Sequence, residues 1–175
     1  EETEASTDLR ELSKHMINQN MDSRVTRLEE SVELKEKLNA FKTKISKGEK
    51  ITDEEFDDII NEFTVLQNAS KTYRASGNER IKSQIVYWLN CWDDTTNAAL
   101  NYIKGIRAAQ NEEDNASIWD YYANAQAAFE KSKSYGFHYV DHLEYAEVGV
   151  QHIVPFIKSL DSYLSEVVST IVNPD

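Results

Sequence analysis

Turn-making residues are scarce in this sequence. It carries 5 Gly and 2 Pro in 175 residues, too few for the tight turns of an all-β chain of that length, so long helices are expected. A single cysteine, Cys91, has no partner for an internal disulfide and says little about redox compartment. Between Trp88 and Trp92 on a helix it reads as a small core filler. No run approaches the ~18 to 20 consecutive apolar residues of a membrane span. Positive charge is short as well: 19 Lys and Arg stand against 31 Asp and Glu, a net charge of −12. The basic footprint of a nucleic-acid binder is missing, and the field of such a domain repels polyanionic polysaccharides at low salt. There is no Gly-rich phosphate loop, no CxxC pair and no Ser/His/Asp arrangement.

What is present is helical patterning. Thr7-Asp8 can cap a short first helix with Leu9, Leu12 and Met16 as its apolar positions. Asp22-Ser23 precedes a long helix to about Ser46, carrying Val25, Leu28, Val32, Leu34, Leu38, Phe41 and Ile45. After the connector Lys47-Gly48-Glu49-Lys50, Thr52 and Glu55 form a capping box in which each side chain satisfies the other's orphan amide. The helix it opens presents Phe56, Ile59, Ile60, Phe63, Leu66 and Tyr73 at helical spacing. Gly77 ends it and Asn78 caps the next, where Ile81, Ile85, Trp88, Leu89, Trp92, Thr96, Ala99, Leu100 and Ile103 hold one face for about seven turns. A polar turn, Asn111 to Asn115, follows. Ser117 with Asp120 then opens a helix presenting Ile118, Tyr122, Ala125 and Phe129, closed by Gly136. Residues 137 to 150 fit no clean stripe and read as a packed loop. The last helix carries Ile153, Phe156, Ile157, Leu160, Leu164, Val167 and Ile171, with Pro155 in its first turn, where a missing amide hydrogen costs little. The expectation is an all-α, antiparallel bundle of five or six helices. It forms one domain over 1–175, divisible into a hairpin region, 1–76, and a main bundle, 78–173. No internal repeat points to a solenoid.

Two segments carry a family resemblance. One is Ala146-Glu147-Val148-Gly149-Val150-Gln151-His152-Ile153-Val154-Pro155-Phe156; the other is Tyr87-Trp88-Leu89-Asn90-Cys91-Trp92, running on into Ala98-Ala99-Leu100. Together they resemble the helical domain that follows the catalytic barrel in family-84 glycoside hydrolases, the secreted bacterial hyaluronidases and β-N-acetylglucosaminidases. Leu9-Arg10-Glu11-Leu12-Ser13-Lys14-His15-Met16 resembles the segment by which the chain leaves that barrel. The resemblance implies a secreted, non-catalytic module whose partner is the catalytic domain of the same polypeptide, with glycan as a further candidate. A barrel of that kind takes ~250 residues of alternating strand and helix, and the sequence holds neither. The opening Glu1-Glu2-Thr3-Glu4, without initiator Met or leader, reads as that of an excised piece.

Several residues invite a chemical role. The family uses two consecutive aspartates for substrate-assisted hydrolysis, but Asp93-Asp94 lies inside a predicted helix, where neighbouring side chains diverge by ~100°. The same holds for Asp57-Asp58, so neither pair is expected to be catalytic. His138-Tyr139-Val140-Asp141-His142 has two histidines at i and i+4 in an inverted-zincin order; it lacks a credible third ligand, and no metal or cofactor is expected. Asn68-Ala69-Ser70 and Asn115-Ala116-Ser117 fit the N-glycosylation pattern and carry no meaning in a bacterial chain. Trp119-Asp120-Tyr121-Tyr122 is the best recognition candidate. Tyr122 belongs to the core stripe and Trp119 and Tyr121 flank it, so at least one should reach the surface, where flat aromatic faces stack on sugars or anchor interfaces. The opposing expectation is a wide core helix between two layers, since Trp and Tyr are largely buried on average. Leu9, Leu12 and Met16, too few for a core of their own, are the candidate contact with the barrel. A stand-alone binding or adhesin-type bundle using Trp119 and Tyr121 is the alternative to the glycosidase module.

Overall fold

The computed structural model describes residues 24–75, 79–135 and 150–173. Leu9, Leu12 and Met16, the Gly77-Asn78 junction, Gly136 and the His138/His142 segment lie outside the described residues. Within them are five helices and no strand: α1 (Arg24–Lys47), α2 (Asp53–Ala75), α3 (Glu79–Gln110), α4 (Asn115–Ser134) and α5 (Val150–Thr170).

The helix ends follow local chemistry. At the start of α2 the Thr52 amide donates to Glu55 Oε1 at 3.2 Å and the Glu55 amide donates to Thr52 Oγ1 at 3.1 Å, a reciprocal capping box. α1 ends in a Schellman turn: Glu49 N donates to the Lys44 carbonyl and Gly48 N to that of Ile45, with Gly48 at φ 68°, a backbone that glycine adopts without steric cost. α3 ends the same way through Glu113 N to Ala108 O and Glu112 N to Ala109 O, but the left-handed position is held by Glu112 at φ 54°. α4 begins three residues before the start expected from Ser117. Asp114 is the cap, accepting from the Ser117 amide at 2.8 Å, and the Ser117 hydroxyl is itself bound to that carboxylate. Pro155 sits in the second turn of α5 rather than the first. It is exposed there, so solvent can satisfy the carbonyl four residues back that loses its donor.

Cross-helix contacts fix the directions. Lys44 reaches Glu55 near the first loop while Lys37 reaches Asp58 and Glu62 further along, so α1 and α2 are antiparallel. Gln110 bonds both backbone groups of the buried Ile51, at 2.8 and 2.6 Å, and the Trp92 indole donates to the Leu66 carbonyl, which sets α3 antiparallel to α2. Cys91 with Ser132 and Tyr102 with Tyr122 do the same for α3 and α4. α5 runs parallel to α3, because Tyr102 meets Asp161 and Gly105 faces Leu164. The order is up-down-up-down-up, with α3 packed on α2, α4 and α5.

Apolar side chains of all five helices form one cluster. On α1, from Val32 onward, the buried positions are Leu34, Leu38, Phe41 and Ile45, a single stripe. Val32, two residues off that stripe, points away and is 54% exposed. Phe156 of α5 meets Phe41 edge-on and stacks on Phe63, both at 5.8 Å. In α3 the burial is far wider than the predicted face: Cys91, Thr95, Ala98, Tyr102 and Ile106 are covered as well, because three helices pack around it. The two buried threonine hydroxyls donate back to the carbonyls of Cys91 and Trp92, so the polar groups impose no unmet bond.

Candidate functional site: a groove between α4 and α5

α4 and α5 each pack more extensively on α3 than on one another. The gap they leave is a groove of about 450 Å³ lined by Tyr102 of α3, by Gln126, Phe129, Glu130 and Lys133 of α4, and by Asp161 of α5. Tyr102 is fully buried and donates its hydroxyl to Asp161 Oδ1 at 2.7 Å. Burial first, then that carboxylate, push the Tyr102 phenol far above its ordinary range, so it stays a donor at any physiological pH.

An aromatic row continues from Tyr102. Its ring is 6.4 Å from Tyr122, which is 6.2 Å from Trp119, both edge-on. The Gln126 amide donates to the Tyr122 hydroxyl at 2.8 Å, and burial raises the Tyr122 phenol too. At the other end the Lys133 ammonium bonds Glu130 at 3.0 Å and stands 4.5 Å from the centroid of Phe129, a cation–π contact.

The residues singled out from sequence lie outside the lining of this groove. Trp119 and Tyr121 are both half-buried and packed against the core. The Tyr121 Cβ lies so close to α3 that a Cβ on Gly105 would meet it at 3.2 Å, and the buried Trp119 indole N–H has no hydrogen-bond partner. Asp93 and Asp94 lie within α3; burial raises the Asp94 carboxyl, with Lys131 opposing. Cys91 is buried, its thiol against the Ser132 carbonyl. No cluster of three metal-ligating side chains occurs among the described residues, and no helix there is long and apolar enough to cross a membrane. Of the groove, Phe129 alone stood in a predicted stripe with Tyr122 beside it. Tyr102 and Asp161 escaped because each lies just off the face assigned to its helix. The one available signal was an aromatic residue, Tyr102, immediately before Ile103 on a face broader than a single seam.

No family model matches the sequence, and no curated protein does. The fold, however, is found in the solved structure of CpGH84D, with a TM-score of 0.63 and 18% sequence identity over 77% of this chain. The name places that protein in glycoside hydrolase family 84. This chain spans 22% of its length. The likeness is to a stretch of CpGH84D, and at that identity the fold of the matched part is what it establishes.

Proposed function

We propose that the chain is a non-catalytic helical module of a secreted glycosidase acting on N-acetylglucosamine-containing glycans, of the hyaluronidase or β-N-acetylglucosaminidase type. In this reading it buttresses and spaces the catalytic barrel of the same polypeptide, and its surface borders the substrate groove. The observation that carries the reading is the fold shared with a stretch of CpGH84D several times shorter than that whole chain. Asp93 and Asp94 fit it, since both sit along one helix rather than at the mouth of a barrel. Leu9, Leu12 and Met16 are the proposed contact with the barrel.

The test has two arms. The purified chain, shown by circular dichroism to be helical, should leave an aryl N-acetylglucosaminide and hyaluronan intact; turnover abolished by Asp93→Asn would overturn the non-catalytic assignment. Leu9→Ala with Leu12→Ala should weaken attachment to the barrel more than it lowers the melting temperature of the chain alone. Equal loss in both settings would make those leucines core. The second reading, a stand-alone binding or adhesin-type module, draws on Trp119 and Tyr121, both half-buried on α4, and binding of glycan by a chain whose gene encodes no barrel would favour it.

A further inference from the structure

We propose that the groove between α4 and α5 binds a single non-anionic saccharide ring; the choice of ligand class rests on the glycosidase-module reading, while the site rests on the geometry. A volume of about 450 Å³ falls within the ~300–1,000 Å³ typical of small-ligand clefts. The lining is rich in unspent acceptors. Asp161 uses one oxygen on Tyr102, Glu130 one on Lys133, and Gln126 its amide on Tyr122. The second carboxylate oxygens and the Gln126 carbonyl are left for an occupant that brings several donor hydrogens, as sugar hydroxyls and an N-acetyl amide do.

The acceptors are also held in place. Asp161 is fixed by a tyrosine that is 1% exposed, and the Gln126 amide is tied down, which lowers the ordering cost of binding. The exposed methyls of Ala123 and Ala127 border the same groove and offer an apolar surface to the C–H face of a ring. Charge selects among sugars. Asp161 and Glu130 against Lys133 leave the lining negative, on a chain of net charge −12, so carboxylated and sulfated sugars are repelled.

The test is a titration of the 175-residue chain, followed by backbone amide NMR, with N-acetylglucosamine and separately with glucuronic acid. Saturable, millimolar binding of N-acetylglucosamine is expected, with shifts centred on Tyr102, Gln126 and Asp161 and little response to glucuronate. Asp161→Asn keeps an acceptor for Tyr102 and should weaken binding about tenfold, the scale of one hydrogen bond to a charged group. Gln126→Ala, at an exposed position that leaves the fold intact, should weaken it several-fold, and Val65→Ala on α2 should change nothing. The proposal is overturned by the absence of saturable shifts, by equal binding of glucuronate, or by affinity indifferent to both groove variants. A silent groove in a chain that still attaches to a catalytic barrel removes this site alone; a responsive groove in a chain that attaches to none removes the module reading instead.

Discussion

Where α1, α2 and α5 meet, four phenylalanines fill the interior: Phe41, Phe56, Phe63 and Phe156, with ring centroids 5.8 Å apart in three pairs. Outside that seam the helices are stitched by charge. Lys37 bridges Glu33, Asp58 and Glu62, and Arg107 bridges Asp53 and Asp57 while lying over Phe56. The side of α3 that faces α4 is built differently. Its buried row runs through Cys91, Thr95, Ala98 and Gly105, small residues that let the backbones approach, with Tyr102 as the one bulky member, its ring against Tyr122. One seam is filled by bulk and the other by proximity. The first should tolerate no truncation and the second no enlargement, and the polar groove lies beside the second.

The largest expected effect is at the bulky seam. Phe156→Ala removes a ring that touches two others and should cost about 3–5 kcal/mol in chemical denaturation; a loss below ~1 kcal/mol would mean that the site collapses freely and that the seam is not bulk-limited. Gly105→Ala tests the close seam. Its new Cβ would stand 2.7 Å from Leu164 Cδ2 and 3.2 Å from Tyr121 Cβ. Leu164 can rotate in part, but the Tyr121 Cβ is fixed to its backbone. A net loss of about 1–2 kcal/mol is expected once the ~1 kcal/mol helix-propensity gain is deducted. A net gain would show that α3 and α4 are free to separate, and Leu164→Val in the same chain should recover part of the loss through coupling between neighbours.

Glu112→Gly should move stability the other way. The glutamate holds φ 54°, and a residue without a Cβ removes a strain of about 1 kcal/mol. Thermal melts should show a rise of a few degrees; no change would mean that the Glu112 side chain compensates for its backbone. The smallest effect belongs to the charged stitching of the bulky seam. Lys44 first, then the Thr52 amide and hydroxyl, hold the Glu55 carboxyl below the ordinary glutamate range. A depressed folded-state value contributes stability above the unfolded-state value, and that contribution is lost as pH falls through the folded one. Glu55→Gln should therefore flatten the acid limb of the stability curve below about pH 4.3, by under ~1 kcal/mol because the pair is largely solvated. An unchanged acid limb would assign the pH dependence to other carboxylates.

The stripes of α1 and α2 were legible because each helix buries one face. Leu34, Leu38, Phe41 and Ile45, or Phe56, Ile59 and Phe63, recur at the period of a helix lying on a single layer. The Thr52–Glu55 box was legible because it is complete within four residues. α3 was read too narrowly, since a helix covered on three sides no longer advertises one face. Asp114 was missed as a cap because Ser117, three residues on, carries the same signal and is in fact its partner. Trp119 and Tyr121, placed beside the stripe of α4 by periodicity, are half-covered in the fold: Trp119 meets Tyr122 of its own helix, and Tyr121 stands against Gly105 of α3.

By itself the sequence determined the helical class, the caps, the principal stripes and a charge balance of −12. Only the tertiary structure brought Tyr102 and Asp161 together, across 59 residues, and opened a groove where α4 and α5 part over α3. Periodicity encodes the angle at which a side chain leaves its own helix axis. Which other helix waits at that angle, and how near it stands, depends on the volumes of residues such as Gly105 and Phe156 acting between helices, and no spacing along the chain records that distance.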